Sequence, residues 1–162
     1  MRRMQAGRWI ASGAIAALLT ACAGSGGGGG GPTKPACKPP TPLTVCFSTN
    51  IQPIFNRSCA VAGCHAGTPA AQNLDLSTGQ AYHNTVGVSS VQQPRLKLVK
   101  PGDPTNSYLL QKINGTPTIS GVLMPQGCPG TPLNGAQCLS PDDIMAVMQW
   151  ITECATNPTP CP

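Results

Sequence analysis

The chain has 162 residues, of which 19 are Gly, 18 are Pro and 9 are Cys, and only 9% are charged. These numbers exclude a large multidomain enzyme and leave one modest domain beside low-complexity segments. Three of the ten basic residues, Arg2, Arg3 and Arg8, crowd the N-terminus, so the formal charge of +5 carries no argument for a nucleic-acid partner.

Those arginines precede an apolar run from Trp9 to Leu19, too short to span a bilayer and fitted to the core of a secretory signal. The run ends in Leu19-Thr20-Ala21-Cys22, which resembles a bacterial lipobox, where the cysteine becomes the lipidated first residue of the mature protein. The resemblance implies a signal peptide over 1–21 and membrane attachment through Cys22. It also implies a periplasm-facing place in the bacterial cell envelope. Ala23 is not an acidic retention residue, which favours the outer membrane. Residues 22–42 then read as a tether, flexible through the six glycines Gly26 to Gly31 and stiffer through five prolines between Pro32 and Pro42. The domain is expected over 43–156, with a Pro-rich tail at 157–162. Export predicts thiols that are oxidised, metal-bound or covalently modified.

Within the domain four helical segments can be placed, and the coarse reading is an all-α fold with long Gly- and Pro-punctuated loops. The first starts near Ser48 or Thr49, where Thr49 and Gln52 have capping-box spacing. A short second helix is expected over about 78–86. The third is expected to be capped by Asp103, to begin at Pro104 and to stop at Asn114-Gly115. The last opens on Ser140-Pro141-Asp142-Asp143, with Ile144, Val147, Met148 and Ile151 as its buried face. Met145 is likewise assigned to core packing. Over 43–156 the apolar set is 29 Leu, Ile, Val, Met or Phe, with Tyr82, Tyr108 and Trp150 as the only larger aromatics. That core is thin for its length unless something else fills it.

Chemistry concentrates at Cys59-Ala-Val-Ala-Gly-Cys64-His65. A c-type haem site needs two thiols that add across porphyrin vinyl groups and an imidazole directly after the second thiol. Four residues separate the thiols here, where two is the common spacing. On a regular helix a five-residue step leaves the two sulfurs about 140° apart, so the loop must bulge, and Gly63 supplies a residue that accepts positive φ. The spacing alone is equally served by a Cys59–Cys64 disulfide with His65 on the surface.

The order Ile51-Gln-Pro-Ile-Phe, Cys59 to His65, Leu74-Asp-Leu-Ser-Thr-Gly, Val99-Lys-Pro-Gly-Asp-Pro-Thr-Asn-Ser-Tyr-Leu-Leu, Met124-Pro and a closing helix with Trp150-Ile151 resembles small bacterial cytochrome c domains of exported lipoproteins. The likeness spans about 51–154. It implies a cytochrome c-like fold with one covalent haem c held by Cys59 and Cys64. His65 would be the proximal iron ligand and Met124 the distal one, with His83 as the alternative imidazole. It further implies an electron carrier rather than an enzyme, serving redox partner proteins in the envelope. The five carboxylates, Asp75, Asp103, Asp142, Asp143 and Glu153, form no catalytic acid–base pattern. Arg95, Lys97 and Lys100 read first as a solvated face and second as a docking patch. The reading from a different class is a haem-free, disulfide-stapled lipoprotein that binds an envelope partner; a third is an open-iron sensor or peroxidase-like site. Six further cysteines, Cys37, Cys46, Cys128, Cys138, Cys154 and Cys161, allow 15 pairings, of which Cys128 with Cys138 is favoured because it would close the loop after Met124.

Overall fold

A computed structural model describes residues 36–161; the signal segment, Cys22 and the glycine tract lie outside the described residues. The first described helix enters through a π-helical turn, Phe47–Ile51, that runs into α1, Gln52–Ser58. No side-chain cap forms at Thr49. Gln52 is instead buried, and its amide donates to Asn56 Oδ1 at 2.9 Å and to the Leu76 carbonyl at 3.0 Å. The expected capping box is therefore replaced by a bond between α1 and the distant 74–76 segment. The second helix, α2, is only Ala81–Thr85.

The third expectation needs correction. The helix α3 is Tyr108–Asn114, four residues later than a start at Pro104. Asp103 spends its side chain on a tight turn instead, accepting from the Asn106 backbone at 3.2 Å and from Lys100 Nζ at 2.7 Å. Once that local turn captures the carboxylate, the backbone 104–106 follows it rather than the helix. Lys100 and Asn106 together hold the Asp103 carboxyl down to about 2, the Lys100 hydrogen bond being the largest cause. A folded pKa below the ordinary carboxylate value of 3.8 means this stabilisation is complete above that value and is lost as pH falls toward 2. Thermal midpoints recorded from pH 5 to pH 2 should therefore fall less steeply in Asp103→Asn than in the wild type; parallel curves would contradict this assignment. The helix ends as read, with Gly115 left-handed at φ 68.

The longest helix, α4, is Pro141–Thr152, and it opens with a complete capping box between Ser140 and Asp143. Its buried stripe is Val147, Trp150 and Ile151. Met145 and Met148, assigned to the core from spacing, are 54% and 43% exposed. Trp150, fully buried, sets the rotation of the helix; Met148 then falls about 100° from Val147 and Met145 about 160°. Only the side chain large enough to dominate burial decides which apolar positions face inward.

Packing centres on Phe47, whose ring meets Phe55, Tyr82 and Trp150 at centroid distances of 6.1, 5.3 and 5.1 Å. Through this cluster α4 packs on the Phe47–Ile51 turn, and it also meets α3. Glu153, buried at the end of α4, accepts from the backbone N–H groups of Thr44 and Val45 at 3.0 and 3.1 Å and from the Thr44 hydroxyl. Desolvation pushes its carboxyl up, but a bond from Gln149 Nε2 at 2.9 Å together with those from Thr44 and Val45 outweighs it and holds the carboxyl below the usual glutamate range. Three disulfides join Cys37 to Cys154, Cys46 to Cys161 and Cys128 to Cys138. The four cysteines near the two chain ends thus pair across the termini. Among the described residues no helix is long and apolar enough to cross a membrane. The elements of the described residues are all helical, and strand-like contact there is limited to isolated bridges such as Val86 with Val99.

Candidate functional site

The C-terminal end of α1 delivers Cys59 into a bulged loop. Cys59 and Ala60 both donate to the Phe55 carbonyl, at 2.9 and 2.7 Å, and the His65 N–H returns to the Cys59 carbonyl at 3.2 Å. The loop closes on itself because Gly63 adopts φ 77, the left-handed conformation that side chains resist. A Cβ at Gly63 would also stand 2.9 Å from Asn134 Nδ2. Gly63→Ala should therefore cost about 1–3 kcal/mol from backbone strain and crowding, read as a lower urea midpoint with an unchanged slope. A variant as stable as the wild type would show the bulge to be dispensable.

Cys59 and Cys64 are unpaired and half-buried, while the other six described cysteines are bridged. Burial pushes the Cys59 thiol up to about 12, and the neighbouring Cys64 adds to the effect. Such a thiol stays protonated and is a weak nucleophile. Cys64 Sγ accepts from Asn134 Nδ2 at 3.4 Å. Asn134 belongs to a single turn, Leu133–Gly135, inside the loop closed by the Cys128–Cys138 disulfide. That small covalent ring therefore rests against the two-thiol loop, and Gln137 adds a backbone bond to the Arg57 carbonyl at 3.0 Å. Arg57 in turn pairs with Asp143 at the start of α4.

His65 Nδ1 lies 3.1 Å from the Leu74 carbonyl. A carbonyl only accepts, so Nδ1 carries the proton and Nε2 keeps its lone pair. Burial lowers the His65 pKa against the opposing pull of the Leu74 and Ala71 carbonyls, which favours the neutral ring that a metal needs. The structural part of Leu74-Asp-Leu is now visible as well: Leu74 orients the imidazole, and the Leu76 N–H bonds the His65 carbonyl at 2.8 Å.

Two cavities meet at these residues. The larger, about 1110 Å³ including its open mouth, is walled by Phe55, Leu74, Leu98, Leu109, Ile113 and Val147. The smaller, about 560 Å³, runs over Gly63, Cys64, Gln126 and Asn134. Cys59, His65 and Met124 border both. His83 borders neither; it is exposed on α2 with its ring edge-on to Tyr82 at 5.6 Å. The structure thus brings together Cys59, Cys64, His65 and Met124, and leaves His83 apart. Arg95 and Lys97 are exposed, Lys97 bonded to Ser89 Oγ, and Lys100 is engaged with Asp103.

Several wall residues carried no signal in the sequence. The segment 85–99 folds back on itself through Leu98 N–H to the Val88 carbonyl at 2.7 Å and Ser90 N–H to the Leu96 carbonyl at 2.9 Å. Those bonds place Val88, Val91 and Leu98 along the large cavity. Neither a period of two nor one of 3.6 marks this stretch, so only the tertiary fold reveals it. Among the described residues no cluster of three or more His, Cys, Asp or Glu is placed to hold a metal ion; an imidazole and a thioether would form no such cluster. No protein-family model matches the chain, and no curated protein or solved structure matches it.

Proposed function

We propose that the chain is a monohaem c-type cytochrome with a cytochrome c-like fold, anchored by lipid at Cys22, that carries single electrons between protein partners in a bacterial cell envelope. One observation carries the reading: Cys59, His65 and Met124 border two adjoining cavities, and Cys59 with its neighbour Cys64 are the two unbridged cysteines among the eight described. The residues fit the group. Two free thiols precede an imidazole whose proton is held on Nδ1, a thioether borders the same two cavities, and the walls of the larger cavity are predominantly apolar. The packing of the first helical segment on the last supports the same fold.

Haem bound here would supply a one-electron iron couple. The chain's own contribution is to hold and orient. Cys59 and Cys64 would fix the macrocycle covalently, His65 would present Nε2 in one tautomer, and Met124 would present a soft sulfur that raises the potential. The apolar walls would shield the bound group from water. With His65 and Met124 both available to hold the iron, such a site would favour electron transfer over substrate chemistry.

The test is to export the chain through a haem-maturation system, denature it, and measure haem that stays attached by mass. One haem on the peptide containing Cys59 and Cys64 is the expected result. No attached haem, with Cys59 and Cys64 joined to each other, would overturn the proposal and leave a disulfide-stapled binding module.

A further inference from the structure

Lys112 bonds three backbone groups of the segment that carries Met124. Beyond Gly115 the chain leaves α3 and wanders without regular structure to Met124, so the thioether has no helix or strand to aim it. Segments of this kind lose backbone entropy when ordered, and something must hold them. Lys112 is buried, 8% exposed, and its Nζ donates to the carbonyls of Ser120 at 2.8 Å and Val122 at 2.7 Å. The Lys112 carbonyl accepts from the Met124 N–H at 3.0 Å. A single residue therefore grips the segment at three points within five positions. Charge-assisted bonds are the strong class, and they are what makes a buried ammonium tolerable.

A second residue one turn earlier works on the same strap. The Tyr108 hydroxyl accepts from the Ser120 N–H at 3.0 Å and donates to Gln92 Oε1 at 3.0 Å, while Gln93 Nε2 donates to Ser120 Oγ at 2.9 Å. Ser120 is thus tied to α3 and to the opposite wall at once. Lys112, Tyr108, Gln92 and Met124 all border the larger cavity.

We propose that Lys112 is the positioning residue for Met124, clamping residues 120–122 so that the thioether stays on the cavity border it shares with His65. The inference rests on the reading of Met124 as an iron ligand. Lys112→Met keeps the apolar stem and removes the three donors, and Tyr108→Phe weakens the same strap without touching a charge. In the matured, haem-loaded protein, Lys112→Met should lose most of the weak long-wavelength absorption band that marks thioether-ligated ferric iron, and its reduction potential should fall. In the haem-free chain, amide hydrogen exchange over 120–124 should speed up about tenfold or more, with exchange in α4 unchanged; Tyr108→Phe should show the smaller change in the same direction. A loaded wild type with the band, beside a Lys112→Met protein with the same band, potential and exchange, would overturn the role of Lys112 alone. A wild type that attaches no haem would instead overturn the ligand role of Met124, and the proposal with it. If Lys112→Met fails to fold, the Tyr108→Phe protein decides: unchanged exchange over 120–124 and an unchanged band overturn the clamp.

Discussion

Changing Cys59 and Cys64 together to serine should reduce covalently attached haem from one per chain to none, while the helical circular-dichroism signal of the chain persists. The two sulfurs are the only cysteine sulfurs among the described residues not committed to disulfides, so no neighbouring thiol can take their place. Each is half-buried in a loop held mainly by backbone bonds, including Cys64 N–H to the Val61 carbonyl at 3.0 Å, which serine preserves. Either single variant should retain one thioether link and hence some attached haem. Mass measurement after denaturation separates the outcomes. Haem retained by the double variant would place its attachment elsewhere in the chain and sink the assignment.

Removing both bridges between the chain ends should produce the largest loss of stability of any change that leaves the cavities intact. The Cys37–Cys154 disulfide spans 117 residues of sequence, and a loop of that size is worth about 4.7 kcal/mol in the chain-entropy account. The Cys46–Cys161 bridge spans 115 residues, yet it adds less. With the first bridge in place, it closes only the path of about 16 residues through that bridge, worth about 3 kcal/mol. A chain with all four cysteines changed to serine should therefore lose about 8 kcal/mol, comparable with the whole stability of about 5–15 kcal/mol of ordinary domains. Urea titration of the haem-free chain checks this. Midpoints within error of each other would show that the contacts of Glu153 and Trp150 alone secure the ends.

Local signals in the sequence were legible where a residue acts on its own backbone. Ser140 and Asp143 open α4, Gly115 closes α3, and Gly63 bends the thiol loop, each through an interaction spanning four residues or fewer. The misreadings arose where a distant group competed. Asp103 was available as a cap but was taken by Lys100 and Asn106, and Gln52 was taken by Leu76. Met148 has helical core spacing, but the bulk of Trp150 turned it outward. At the site, the ligand-type residues were legible from their chemistry. Lys112 was not, because a lysine in an exposed helix and a lysine folded over two carbonyls are written with the same letter. The 85–99 wall was invisible for a related reason: its bonds join positions that obey no period.

The covalent joint at Cys37 also has a mechanical meaning. A pull on the chain ahead of Cys37 passes through sulfur into Cys154, at the end of α4, before it can strain the bonds that Glu153 makes to Thr44 and Val45. A second link, from Cys46 to Cys161, stands behind the first. Load is therefore routed from one end of the chain to the other through strong bonds, bypassing the loop of Cys59 to His65 and the strap that carries Met124. The cavities between them are spared when the chain is pulled ahead of Cys37.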